Sequence, residues 1–183
     1  MSKKEFFSAF LKQGKNVGSV TPSSKFLVKK MVDPIQFKNV KCIVELGPGT
    51  GIITHELLRQ MPADSILLAF EINKEFCDTL NQINDPRLKV ISDSAEKLED
   101  YLKQYKVEKV DYVVSSLPLF MIPDSVVDTI MEVVLKTLKA DGAFIQYQYS
   151  LNAYKRFKAI FKNVDLNFTP MNLPPAFVFT CTI

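Results

Sequence analysis

From residue 41 onward the chain alternates short apolar runs with segments whose apolar positions recur at helical spacing. The runs "KCIVEL" (41–46), "ILLAFE" (66–71), "LKVIS" (88–92), "VDYVVS" (110–115) and "GAFIQYQY" (142–149) read as strands, with helical patterns between them at 51–61, 74–84, 94–105 and 123–139. Near-continuous apolar strands alternating with helices predict an α/β fold, a mostly parallel sheet covered by helices on both faces. After residue 150, "SLNAYKRFKAIF" predicts one more helix, and two closing strands near 164–169 and 176–182 are expected to pair antiparallel.

Local chemistry sharpens several boundaries. Asn73 is suited to cap "KEFCDTLNQI", Pro123 to the first turn of the following helix, and Asp141-Gly142 to stop that helix after Ala140. Residues 1–33 read as a helical lead-in to a domain spanning 34–183. One lead-in segment covers about 3–13, and another begins at Thr21-Pro22, where Thr caps and Pro takes the first helical position.

Composition adds little until it is divided. A chain of 183 residues, 47% hydrophobic and 23% charged, suits one globular domain. No apolar run reaches the roughly 18 to 20 residues that cross a bilayer. "FFSAFL" is too short for a signal-peptide core. Cys42, Cys77 and Cys181 are widely spaced and odd in number, which argues against a disulfide framework or zinc site and for a reducing, cytoplasmic setting. The overall charge of +3 is uneven: residues 1–30 hold seven lysines against Glu5, an excess of +6 that leaves −3 for the remainder. An anionic partner near the N-terminus, membrane or nucleic acid, is expected.

The candidate chemistry sits in "VELGPGTGIITHELL", residues 44–58. The loop Gly47-Pro48-Gly49-Thr50-Gly51 follows a strand and opens a helix, so bare backbone can approach a ligand there. Ile52 stands where a dinucleotide fingerprint needs its third glycine, and no Gly-Lys-Ser/Thr follows for a phosphate-gripping loop. Glu45 precedes the loop, Glu71 ends the second strand 24 residues after Gly47, and Asp93 follows the third strand. A carboxylate at the position of Glu71 can accept hydrogen bonds from both hydroxyls of a ribose. All three acids fall at strand carboxyl ends, where open α/β sheets bind ligands.

"VELGPGTG", "FEI" and "SDSAEKL" resemble the class I S-adenosylmethionine-dependent methyltransferases, with their Rossmann-like fold, over roughly residues 40–150. The resemblance implies that Glu45, Gly47, Gly49 and Gly51 accommodate the amino-acid part of S-adenosyl-L-methionine. It further implies that Glu71 and Ile72 meet its ribose side, that Asp93 and Ser94 meet the adenine amine, and that S-adenosyl-L-homocysteine is the product. No metal is implied.

The fourth strand ends in Ser115-Ser116-Leu117-Pro118-Leu119-Phe120. In ribosomal-RNA adenine dimethylases this place resembles Asn-Leu-Pro-Tyr: the Asn side chain and a backbone carbonyl receive the adenine amine, and the ring stacks on the base. Here a serine stands at the Asn position and Leu119 at the ring position, and neither can copy those roles. Bacterial phospholipid N-methyltransferases instead commonly have Ser-Gly-Leu-Pro-Leu. "NVGSVTPSSKFL" (16–27), "IQYQYS" (145–150) and "NLPPA" (172–176) are similar to further motifs of that family. Ser116 and Ser150 depart from it, each replacing a frequent glycine. The resemblance implies a substrate pocket of Leu117, Pro118, Leu119, Gln146, Tyr149 and Asn172. Ser115 serves cofactor and chemistry, and Tyr149, or a water near Ser115, passes on the amine's proton.

In "KKEFFSAFLKQGK", Phe6, Phe7, Phe10 and Leu11 share one helical face, with Lys3, Lys4, Lys12 and Lys15 around it. That suits a helix lying on an anionic membrane surface, or a lid packed on the domain. The expected activity is N-methylation of a phosphatidylethanolamine-type head group by a peripherally membrane-associated enzyme. RNA adenine N6-methylation, and a non-catalytic cofactor- or lipid-binding module, remain the alternatives. Tyr147 and the lone His55 read as packing or surface residues, and the oligomeric state is open.

Overall fold

The computed structural model describes residues 24–183. Seven strands form one sheet: β1 (Cys42–Leu46), β2 (Ile66–Phe70), β3 (Leu88–Ile91), β4 (Val110–Ser115), β5 (Leu138–Gln148), β6 (Asn163–Thr169) and β7 (Ala176–Thr182). Their order is β3-β2-β1-β4-β5-β7-β6. β1 to β5 are parallel, and β7 is antiparallel to both its neighbours. β6 therefore runs with β5, and the β6–β7 turn returns to the edge where β1 to β5 end.

Among the described residues, six helices pack around it: α1 (Lys25–Val32), α2 (Ile52–Gln60), α3 (Lys74–Leu80), α4 (Leu98–Gln104), α5 (Asp124–Thr137) and α6 (Tyr154–Ile160). All five residues of β1 are buried. Cys42, Val44 and Leu46 meet the cluster under α4, α5 and α6, and Ile43 meets the one under α1 and α2. This two-residue period is what a strand covered on both faces requires. Phe144 anchors the first cluster, stacked on Phe161 at 5.7 Å and edge-on to Phe157.

Most predicted elements stand within a residue or two of expectation, and the exceptions are physical. Asn73 caps α3 as expected, accepting from the amides of Glu75 and Phe76, but α3 ends at Leu80 rather than continuing to 84. The segment 94–105 begins as a 3-10 turn, Ala95–Lys97, before α4. Pro123 takes the cap position, one residue before α5. α5 ends at Thr137, not Ala140, because Leu138 already pairs with Val110 of β4. Gly142 is not a helix stop but a point of close approach: a Cβ there would lie 2.6 Å from the Asp111 carbonyl oxygen.

The cap of α1 is Ser24, whose hydroxyl accepts from the Leu27 amide. Thr21 and Pro22, expected to start that helix, lie outside the described residues. So do the segment 3–13 and its Phe6, Phe7, Phe10, Lys3 and Lys4. The described part of the lead-in packs into the core through Leu27, Val28, Met31 and Val32. No helix among the described residues is long and apolar enough to cross a membrane.

Candidate active site

Three positive-φ glycines carry the chain from β1 into α2, and they do different work. A Cβ on Gly51 would fall 2.9 Å from Leu80, and one on Gly47 would fall 3.0 Å from Leu117. Gly51 thus lets α2 pack on α3, and Gly47 admits the loop after β4. Gly49 has nothing within 4 Å of an added Cβ, so it is the glycine that faces open space. Of the three glycines expected at the cofactor, Gly49 is the one whose bare backbone faces a cradle.

Glu71 closes that cradle. Its Oε2 accepts the Gly49 amide at 3.0 Å and its Oε1 the Asn73 amide at 2.9 Å. Burial raises its pKa, against the backbone amides of Asn73, Gly49 and Ile72. Ile72 stands exposed beside it. Glu45 lies deeper, fully buried, with Oε2 accepting from Thr54 Oγ1 at 2.7 Å. Its other oxygen has no partner among the described residues. Burial pushes the Glu45 carboxyl up to about 8, the Thr54 hydroxyl opposes this, and the nearby Glu71 charge adds to it. Two buried acids beside one bare backbone turn suit a cationic ligand with a sugar diol, as S-adenosylmethionine is.

Asp93 sits at the end of β3, accepting from its neighbour's amide at 2.7 Å and from the Tyr101 hydroxyl at 3.2 Å. Tyr101 is itself held edge-on to Phe70, with ring centroids 5.5 Å apart. Ser94 faces its helix rather than a ligand: its hydroxyl donates to Glu96 Oε2 at 2.9 Å and accepts the Glu96 amide.

On the other side of Gly47 lies the loop after β4. Ser115 is buried, and its hydroxyl accepts the Leu117 amide at 3.3 Å. The Leu117 carbonyl accepts three donors: the Leu119 amide at 2.9 Å, Gln146 Nε2 at 3.1 Å and Gln148 Nε2 at 2.9 Å. A carbonyl has two lone pairs, so its accepting capacity is used. Gln146 Nε2 also donates to the Tyr147 carbonyl at 2.7 Å, which fixes the amide's orientation. Gln146 Oε1 is then left buried without a partner among the described residues.

Two residues expected in the pocket are placed elsewhere. Leu119 is buried in the core under the loop, and Phe120 is the residue the loop presents to solvent. Asn172 spends its amide on a clasp, accepting the Ser24 amide at 2.9 Å and donating to the Pro174 carbonyl at 2.8 Å. The peptide bond between Leu173 and Pro174 is cis. Tyr149 is half-buried at the end of β5, its ring edge-on to Tyr147 at 5.6 Å. His55 is exposed on α2. The cysteines are free and buried, and burial pushes the Cys42 and Cys181 thiols up to about 12, far from nucleophilic use. No metal-binding cluster occurs among the described residues.

Thr54, Tyr101 and Gln148 were missed from sequence. Only Gln148 left a signal, an amide two residues from Gln146 on one face of an otherwise apolar strand.

The family model of ribosomal RNA adenine dimethylase matches residues 14–147. An ornithine lipid N-methyltransferase of Singulisphaera acidiphila is 32% identical over 179 residues, covering 96% of this chain and 93% of its own. A ribosomal RNA small subunit methyltransferase A of Mycoplasmopsis synoviae is 30% identical over 114 residues, covering 60% of this chain and 40% of its own. The structure of precorrin-6y C5,15-methyltransferase from Geobacter metallireducens superposes with a TM-score of 0.70 at 13% identity, over 90% of this chain and 92% of that one. With the strand order and the Gly49–Glu71 cradle, these place the chain: it belongs to the ribosomal RNA adenine dimethylase family and is a class I methyltransferase whose cofactor is S-adenosylmethionine.

Proposed function

We propose that the chain methylates the primary amine of a membrane lipid, of the phosphatidylethanolamine or ornithine-lipid kind. The observation that carries this is the loop after β4. A nucleic-acid adenine would need a side-chain amide at position 116 and a free carbonyl after it. Residue 116 is a serine, and the Leu117 carbonyl is already held by Gln146 and Gln148. The relative named for action on ornithine lipid also aligns over nearly its whole length, whereas the ribosomal RNA relative aligns over 40% of its own.

S-adenosylmethionine, when bound, supplies a methyl group activated on a sulfonium. The protein's task is then to position an amine, take its proton and keep water out. Gln146, buried behind the loop after β4, holds that loop for the amine by donating its Nε2 to the Leu117 and Tyr147 carbonyls. The amine loses a proton before its nitrogen attacks, and Tyr149 or a water beside Ser115 relays it onward to solvent. The Tyr149 ring, at the strand end, also offers its face to a cation that grows more methylated each round, worth roughly 0.5–2 kcal/mol.

The test uses purified chain, S-adenosylmethionine, and vesicles carrying either phosphatidylethanolamine or an ornithine lipid, with N-acetylated lipid as control. N-methylated lipid detected by mass spectrometry from at least one amine-bearing lipid, and none from the acetylated control, is the expected result. No methylated lipid from either would refute the proposal.

A further inference from the structure

Three connections meet at the sheet edge that carries the site: residues 116–123 after β4, 149–153 after β5, and 170–175 between β6 and β7. None contains Asp, Glu, Lys, Arg or His, in a chain that is 23% charged. Apart from Asn152, what they expose is apolar: Phe120 is 54% exposed, Leu151 46%, Met171 62% and Leu173 74%. Phe26, 49% exposed, joins them in the first turn of α1, because the Ser24–Asn172 bond fastens that turn to the β6–β7 connection.

The surroundings are cationic. α1 carries Lys25, Lys29 and Lys30, of which Lys29 pairs with the capping Asp33 at 2.6 Å, and α6 carries Lys155, Arg156 and Lys158 and no acid. The acids that follow the Phe120 loop in sequence, Asp124 and Asp128 at the start of α5, are both met by Arg156, at 3.5 and 3.0 Å. Ser24, the first described residue, lies at this same edge, bonded to Asn172 of the β6–β7 connection.

We infer that this rim is a membrane-docking surface: Phe120, Leu151, Met171 and Leu173 enter the acyl boundary of a bilayer whose anionic head groups meet the lysines of α1 and α6. Scattered single apolar residues need no explanation, but several on adjoining loops with no charge among them mark a contact surface. An apolar patch with a basic margin matches a lipid interface. An RNA backbone would instead call for cations on the loops themselves. The placement gives the surface a use, because a head group rising from the bilayer would enter beside the loop after β4 without its acyl chains crossing water. The inference rests on the lipid-amine reading for that use, but not for its test.

The experiment compares the full chain with the F120S/L151S pair, the M171S/L173S pair, their quadruple combination, and I183S, which alters an exposed apolar residue past the end of β7 at the opposite edge. Each is tested for binding to phosphatidylcholine vesicles containing phosphatidylglycerol, for methyl transfer to phosphatidylethanolamine in those vesicles, and for transfer to water-soluble dihexanoyl-phosphatidylethanolamine. The quadruple variant is expected to bind vesicles at least about tenfold more weakly. Its rate on vesicle-borne lipid should fall in step while its rate on the soluble lipid stays unchanged, with each pair intermediate and I183S like the parent. Unaltered vesicle binding overturns the inference. So does an equal loss on both substrates, a loss of RNA binding in place of vesicle binding, or a drop in oligomeric mass on sedimentation. If the parent methylates neither lipid, the proposed function fails, and the vesicle-binding comparison still decides whether this surface docks.

Discussion

The strand-end rim has two unlike halves. Over β1, β2 and β3 it is built of acids held by short local bonds: Glu71 on the Gly49 and Asn73 amides, Glu45 on Thr54, Asp93 on Tyr101. Over β4, β5 and the β6–β7 turn it has no charge, buried glutamines within and exposed hydrocarbon without. A soluble cation with a sugar and a purine needs the first half. An amphipathic substrate needs the second. The difference teaches that one fold can keep its cofactor grip while the neighbouring loops decide which nucleophile arrives.

The largest expected effect breaks the cofactor half. Glu71→Ala removes the carboxylate that closes the cradle, and calorimetry should show S-adenosylhomocysteine binding on the order of 100-fold more weakly. Unchanged affinity would remove the sugar-binding role from this acid.

Next comes a dependence on pH. The folded value of Glu45, about 8, lies above its ordinary 4.5, so between those limits the folded chain holds a proton that the unfolded chain has released. Stability of the cofactor-free protein should therefore fall as pH rises from about 5 to about 8, by an amount on the order of 3 to 4 kcal/mol. In Glu45→Gln that slope should flatten. Denaturant titrations at several pH values read both; a parent profile no steeper than that of Glu45→Gln would mean that the acid is ionised throughout.

The substrate half should respond more mildly and independently. Gln146→Leu is expected to lower methyl-transfer efficiency about tenfold while leaving cofactor affinity in place. Loss of both together would erase the distinction between the halves. Smallest of all, Tyr101→Phe frees one oxygen of Asp93 and should weaken cofactor binding only a few-fold, near 1 kcal/mol or less. Equilibrium dialysis would reveal a larger change if Tyr101 served as more than an orienting group.

These halves were not equally legible in the sequence. The cofactor half is written locally, strand then loop then helix, so the acids and the Gly49 turn follow from spacing alone. Thr54 and Tyr101 escaped because nothing in a threonine nine residues past Glu45, or a tyrosine eight past Asp93, marks them as partners. The substrate half joins distant positions: Leu117 to Gln146 and Gln148, and Ser24 to Asn172 across 148 residues. Asn172 therefore read as a pocket residue, when its amide is consumed by the clasp. Gly142 misled for a related reason, since a glycine that admits Asp111 from the adjacent strand looks, in one dimension, like a helix stop. The mostly parallel sheet and the antiparallel final pair match expectation, because near-continuous apolar strands alternating with helices, and two closing strands in succession, are local signals that tertiary contacts did not override.

The central claim is that the uncharged half of the rim receives a lipid amine. Methyl-labelled S-adenosylmethionine, offered with aminolipid vesicles and ribosomal RNA in one reaction, tests it most directly. Label extracted with the lipid and absent from the RNA is the result expected; label recovered in the adenines of the RNA, with the lipid unmarked, would contradict it.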